Sequence, residues 1–232
     1  MKTKMNLVVF SGAGLDAESG ISTFRDSNGL WENYSIEEVA TAEAIKHNLP
    51  KVLEFYNLRR KDALKAEPNQ AHHNLKLLEE KFNVTHITQN ISNLLERAGC
   101  SNILHLHGNI TEASFVDDPS KSIPWDGDIY VGSHYGNKQL RPNVVLFGEM
   151  IHNVEESIEV LSNSDIVVVI GTSLNVFPAA GLLNYAPHEN FFIIDPKPPN
   201  IQYDMDPIHY KVGAIEGTEK LLELFGIERE QK

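Results

Sequence analysis

Cysteine is almost absent: Cys100 is the only one in 232 residues. A single thiol closes no internal disulfide, which excludes a bridge-stapled scaffold and suits a reducing, cytoplasmic setting. Basic runs are missing as well. With 20 basic against 32 acidic residues the net charge is −12, which argues against a nucleic-acid partner and leaves room for a lysine-bearing protein. No apolar stretch approaches membrane-spanning length, so no membrane association is expected. The opening MKTKMNLVVF carries basic residues before an apolar run, but that run is about half a secretory hydrophobic region and leads into Ser-Gly-Ala-Gly. Internal repeats and low-complexity linkers are also lacking. What remains is a chain that is 41% hydrophobic and long enough for one domain with a small inserted lobe.

Continuous β-branched and aromatic runs predict buried parallel strands at 6–10, 84–88, 102–106, 143–147, 165–171 and 190–195. Helical patterns fall near 36–46, 51–66, 69–81, 92–98, 153–162, 179–185 and 216–225. Strands alternating with helices imply an α/β fold with a doubly wound, Rossmann-like parallel sheet. The core is expected over about 5–35, 67–110 and 141–226, with a helical excursion at 36–66. From 111 to 140 the chain is rich in Asp, Ser, Pro and Gly and shows one plausible strand, DIYVG, so a small lobe is expected there. The sequence leaves the oligomeric state open, with a monomer as the working expectation.

The first strand runs straight into SGAGLDAESGI. Gly12, Gly14 and Ala17 match the glycine turn that lets a pyrophosphate approach the backbone, although a purely structural turn explains the pattern equally well. A dehydrogenase would follow with a short helix, a second strand and an acidic residue about 20 positions on. Here the chain continues as STFRDSNGLW, which argues against hydride transfer. Two other segments end strands with polar groups: Gln89 and Asn90 after VTHIT, and Gly171, Thr172 and Ser173 after DIVVVI. His105 and His107 in HLHG share a strand face. That spacing could serve a metal, but no third ligand has a comparable claim, and hydrogen-bonded core histidines are the commoner outcome.

On a helical wheel at about 100° per residue, Val52, Phe55, Tyr56, Arg59, Ala63 and Ala66 share one face. Glu54, Asn57, Lys61 and Lys65 take the other. Arg59 thus points where the apolar side chains point, and must snorkel out or find an anion. The wheel alone does not choose between those outcomes.

Taken in order, GAG…SGI.TFRD..GLW (12–31), TQNI (88–91), HGN (107–109), RPNVVLFGE (141–149) and GTSLNVFPAAG (171–181) resemble the sirtuins, NAD-dependent protein deacylases. EEVATAEAI…VLEFYNLRR resembles their class III branch, associated with removal of succinyl and malonyl groups. The resemblance implies NAD as cofactor and acylated-lysine proteins or peptides as partners. It implies His107 as general base and Asn90 with Gln89 on the ribose. Phe24 would shield the reactive carbon, and Arg25 with Gly12, Ala13 and Gly14 would cradle phosphates opposite Gly171, Thr172 and Ser173. Asp16, Ile91 and Ser92 would line the nicotinamide pocket, and Asp195 would take an adenosine-ribose hydroxyl. Val144, Val145, Phe147, Gly148 and Glu149 would pair with the substrate peptide. Tyr56 and Arg59 would hold an acidic acyl chain.

Two departures stand out. Most sirtuins carry two cysteine pairs for structural zinc between the HG and RP motifs; this chain has no cysteine after Cys100, so no metal is expected in the lobe. The family's usual Ser and Asp are exchanged here for Asp16 and Ser92, a swap that keeps one carboxylate and one hydroxyl. Three readings follow: a class III-like deacylase, an NAD glycohydrolase or ADP-ribosyltransferase, and a catalytically impaired NAD or ADP-ribose binding module.

Overall fold

The computed structural model describes residues 4–22, 34–197, 199 and 207–229. Its organising strand is β1 (Asn6–Ser11), whose run of apolar residues alternates between two cores. Leu7 and Val9 pack with Leu75 and Leu78 of α4 (Gln70–Leu78) and Leu221 and Leu222 of α7 (Ala214–Phe225). Val8 and Phe10 pack with Leu161 of α6 (Val154–Ser162) and Leu182 and Leu183 of a 3₁₀ segment, Ala179–Tyr185. Burial on both faces is why these strands read as unbroken apolar runs.

β2 (Asn83–Thr88), β3 (Ile103–His105), β8 (Ile166–Ile170), β9 (Phe191–Ile194) and β10 (Ile208–Tyr210) complete a six-stranded sheet ordered β10-β9-β8-β1-β2-β3. All of its pairings are parallel. The register aligns Ile194, Ile170, Ser11, Thr88 and His105 in one row across the sheet. The strand order reverses at β1, so the crevice between the loops after β1 and β8 is the switch point where such sheets bind ligands.

A second sheet is antiparallel, ordered β5-β4-β7-β6, from β4 (Gly108–Phe115), β5 (Ser122–Pro124), β6 (His134–Tyr135) and β7 (Lys138–Val144). Ala113, Phe115, Ile129 and Leu140 form its core with Leu53. Leu53 lies on α3 (Ala42–Lys65), which follows the short α2 (Ile36–Val39) and the Thr41 N-cap. Another face of α3 packs Val52, Phe55 and Tyr56 against Ile110, Val144 and Leu146.

Several expectations are corrected. The segment 143–147 is not a parallel strand: β7 ends at Val144, antiparallel to β4, because Glu149 turns the chain by accepting the Leu146 amide (2.8 Å). DIYVG is not a strand, because the Asn57 side chain takes both the amide and the carbonyl of Ile129 (2.9 Å each). Asn57 is accordingly buried rather than solvent-facing. The helices expected at 36–46 and 51–66 are divided differently. They break at Ala40 and Thr41, then continue as one helix kinked at Asn48 (φ −147°, ψ 48°). The segment 179–185 is 3₁₀ rather than α.

The lobe is held by protein groups. Arg60 is buried and its guanidinium donates to the carbonyls of Ile110 and Thr111 (2.9 Å each) and of Trp125. Exhaustive EDTA dialysis is therefore expected to leave the melting temperature unchanged. Stoichiometric zinc lost together with a fall in melting temperature would show that a metal holds the fold.

Candidate active site

The loops after β1 and β8 touch so closely that side chains are excluded between them. The Gly12 amide donates to Ile170 O (3.0 Å) and the Gly14 amide to Gly171 O (2.8 Å). A Cβ on Gly12 would sit 2.7 Å from Thr172 Cβ, and one on Gly14 would sit 2.6 Å from Gly171 Cα. Gly171 itself has φ +63°, a conformation that favours glycine. Among the described residues the amides of Ala13, Thr172 and Ser173 make no hydrogen bond. Unspent amides at a switch point suit phosphate oxygens. Asp195 follows β9 at the same edge of the sheet; it is buried, and its Oδ1 accepts the Lys197 amide (2.8 Å).

The turn after β2 faces these loops. Gln89 Nε2 donates to Thr172 Oγ1 (3.1 Å), and Asn90 Nδ2 donates to Gly12 O (3.1 Å). Beside them Ser92 Oγ donates to Asp16 Oδ2 (2.6 Å), inside α1 (Gly14–Ala17). The two exchanged positions are thus direct hydrogen-bond partners. His72 was not anticipated: its Nε2 donates to Asp16 Oδ1 (3.2 Å), while its Nδ1 accepts the Asn69 amide (3.2 Å). The available signal was Asn69 and His72 at capping-box spacing on α4.

His107 Nδ1 donates to Gln89 O (2.9 Å). That bond fixes the tautomer and leaves the Nε2 lone pair as a base. Burial holds the His107 pKa below the ordinary histidine value; the Gln89 carbonyl opposes this and the neighbouring His152 adds to it. The ring is therefore neutral at neutral pH. His105 differs, with Nδ1 on Asn90 O (3.2 Å) and Nε2 on Glu96 Oε1 (2.6 Å).

Arg59 is half-buried and, among the described residues, makes no hydrogen bond or ion pair. Burial lowers its pKa, opposed by Tyr56, Asp62 and Asp16. The Tyr56 ring is buried and its hydroxyl is likewise unbonded; burial pushes its pKa up, with Arg59 and Arg141 pulling the other way. Of the Arg59–Arg60 pair, Arg60 is the one that bonds the backbone of the lobe among the described residues.

In the segment 144–149 the Val145 amide donates to His107 O (2.9 Å) and the Phe147 amide to Ala40 O (2.9 Å). Glu149 is taken by Arg141, through Oε1 (2.5 Å) and Oε2 (3.1 Å), so its side chain holds the loop. The Val145 carbonyl and the Gly148 amide and carbonyl remain unbonded among the described residues. Phe24 and Arg25 lie outside the described residues. One trio, Glu79, His86 and Cys100, brings metal-type ligand atoms within 4.8 Å of one another. Its carboxylate is already saturated by Lys76, His86 and both Ser101 donors, which gives it a structural role.

The Sir2 family profile matches residues 12–178. The chain belongs to the Sir2 family. An NAD-dependent protein deacylase of Bacteroides thetaiotaomicron is 46% identical over 227 residues, covering 94% of this chain and 97% of the relative. One from Helicobacter pylori is 46% identical over 220 residues, with 94% and 96% covered. A solved Sir2 homologue in complex with NAD has a TM-score of 0.83 at 31% identity, covering 95% of this chain and 89% of that one.

The Asp16–Ser92 contact makes the exchange relative to the family's usual residues testable. Asp16→Ser strips the buried His72 and Ser92 donors of their acceptor, a loss of about 1–3 kcal/mol. Ser92→Asp alone sets two carboxylates together. In the double variant the carboxylate returns from the other side, so a coupling of about 1–3 kcal/mol is expected in a double-mutant cycle of NAD affinity and thermal stability. Additive effects would show that the two positions are independent.

Proposed function

We propose that this Sir2-family chain, an NAD-dependent protein deacylase, acts on lysines bearing acidic acyl groups such as succinyl and malonyl. The observation that carries this reading is the half-buried Arg59, which makes no hydrogen bond or ion pair among the described residues, three residues from the buried Tyr56, whose hydroxyl is likewise unbonded among them. A cation short of an anion on an inward helix face is costly. Guanidinium binds carboxylate through a planar two-bond fork, and a tyrosine hydroxyl one turn away can reach the same group.

The remaining residues supply a consistent set of roles. The unspent amides of Ala13, Thr172 and Ser173 bind phosphate oxygens, and the side-chain donors of Gln89 and Asn90 orient a ribose. The residues present therefore fit NAD, which when bound supplies the nicotinamide–ribose bond that breaks as the acyl oxygen joins the ribose carbon. His107 Nε2 takes a proton from a ribose hydroxyl and can return it to a later leaving group. Asp16, held by Ser92 and His72, keeps a carboxylate in the nicotinamide pocket, which supports turnover over a binding module. The Val145 carbonyl and the Gly148 amide and carbonyl take an extended substrate backbone by strand addition.

Arg59→Met is expected to cost desuccinylation about 2–5 kcal/mol in transition-state terms, as for a broken buried charge pair, and deacetylation far less. Arg60→Met should lower stability without changing acyl preference. Equal loss on succinyl and acetyl peptides in Arg59→Met would assign Arg59 to the fold.

The kcat/KM of the wild type should fall as pH drops through a midpoint below 6.5, where Nε2 of His107 is protonated. His107→Ala should lose about 10²–10⁴-fold in rate, lack that acid limb and still bind NAD. An unchanged limb in the variant would move the base to another group.

A further inference from the structure

Three successive carbonyls of the turn after β2 are each taken by the segment that follows β3's start. Gln89 O accepts from His107 Nδ1 (2.9 Å), Asn90 O from His105 Nδ1 (3.2 Å) and Ile91 O from the Ile110 amide (2.7 Å). The first donor is the proposed base and the third is backbone. Only the middle peptide is held by a side chain with no other task in the site. We propose that His105 is a positioning residue for catalysis: bridged between Glu96 and the Asn90 carbonyl, it sets the peptide that aims the Asn90 amide into the ribose site.

The geometry carries this. Both ring nitrogens of His105 face acceptors, Asn90 O on one side and Glu96 Oε1 (2.6 Å) on the other, and only an imidazolium donates to both. Glu96 stands on α5 (Leu94–Arg97), the helix that follows the turn, so the ring ties the turn to its own helix and to β3. Burial pulls the imidazolium's pKa down, but the bond and charge of Glu96, the Asn90 carbonyl and the more distant Glu112 outweigh it, leaving the pKa raised. Asn90 is then fixed at three points. Its amide donates to Thr88 Oγ1 (3.0 Å), its carbonyl accepts from His105, and its Nδ2 donates to Gly12 O (3.1 Å). Its Oδ1 makes no hydrogen bond among the described residues. The Glu96–His105 pair is partly exposed (side chains 38% and 14%), so its value to global stability is small. Its effect on the angle of one peptide is direct.

This inference rests on the NAD-cleaving reading of the site, so its test needs two readouts. His105→Asn places a nitrogen donor where Nδ1 stands and drops the Glu96 bond. His105→Gln can keep the Glu96 bond and loses the donor to Asn90. In nicotinamide release with saturating acyl-peptide, His105→Gln is expected to lose about 10²-fold in kcat, as for a misplaced reacting group. His105→Asn should recover most of that loss, and both should keep the wild-type melting temperature. The second readout is the Asn90 side-chain amide resonance, which reports the Gly12 contact without turnover. It should move in His105→Gln and stay in His105→Asn. Equal activity of the two variants, or an unmoved resonance in His105→Gln, would overturn the positioning role. A wild type that releases no nicotinamide would overturn the reading of the site instead, while the resonance still decides what His105 holds.

Discussion

The double parallel pairing of β1 is the constraint on which the rest depends. Ser11 is in register with Thr88 on one side and Ile170 on the other, so the loops after three strands begin at the same height. Glycine then lets those loops meet, since Gly12 and Gly14 pass Gly171 and Thr172 with no room for a Cβ. A one-residue slip in either pairing would turn every apolar side chain to the wrong face and separate Gln89 from Thr172. The cleft is thus a consequence of strand register rather than of any loop's own preference.

The second sheet and α3 solve a different problem. A helix carrying two adjacent arginines is inserted between two hydrophobic clusters, and the two guanidiniums cannot share one fate. Arg60 reaches four backbone carbonyls, those of Ile110, Thr111, Glu112 and Trp125, and so anchors the helix to the lobe. Asn57 does the same with both backbone groups of Ile129. With those anchors set, Arg59 stays half-buried and makes no ion pair among the described residues, Asp62 and Asp16 acting on it only at longer range. The lobe is tied to α3 by hydrogen bonds and a small apolar core.

Around the cleft, two buried charged groups are each held by more than one partner. Asp16 has Ser92 and His72 as donors, and Arg141 has Glu149 on its fork with the Val144 carbonyl beside it. Each set fixes an orientation that a lone side chain would not keep.

The sequence by itself determined the alternating α/β class, five of the six parallel strands to within a residue or two, and the family, because unbroken apolar runs and glycine turns are local signals. Asp16 and Ser92 could be paired on paper because their exchange conserves chemistry. Other features were decided only by tertiary structure. NVVLF reads as a buried strand, yet its second half is captured by the nearby Glu149 carboxylate and the distant Ala40 carbonyl, partners that no periodicity reports. The wheel put Asn57 in solvent because a wheel assumes one buried face, whereas α3 is covered on two. His72, His105 and Arg60 gained their roles from groups 56, 15 and 50 residues away. Hydrogen bonds of that reach depend on where strands and helices are stacked, and residue order carries no direct record of it.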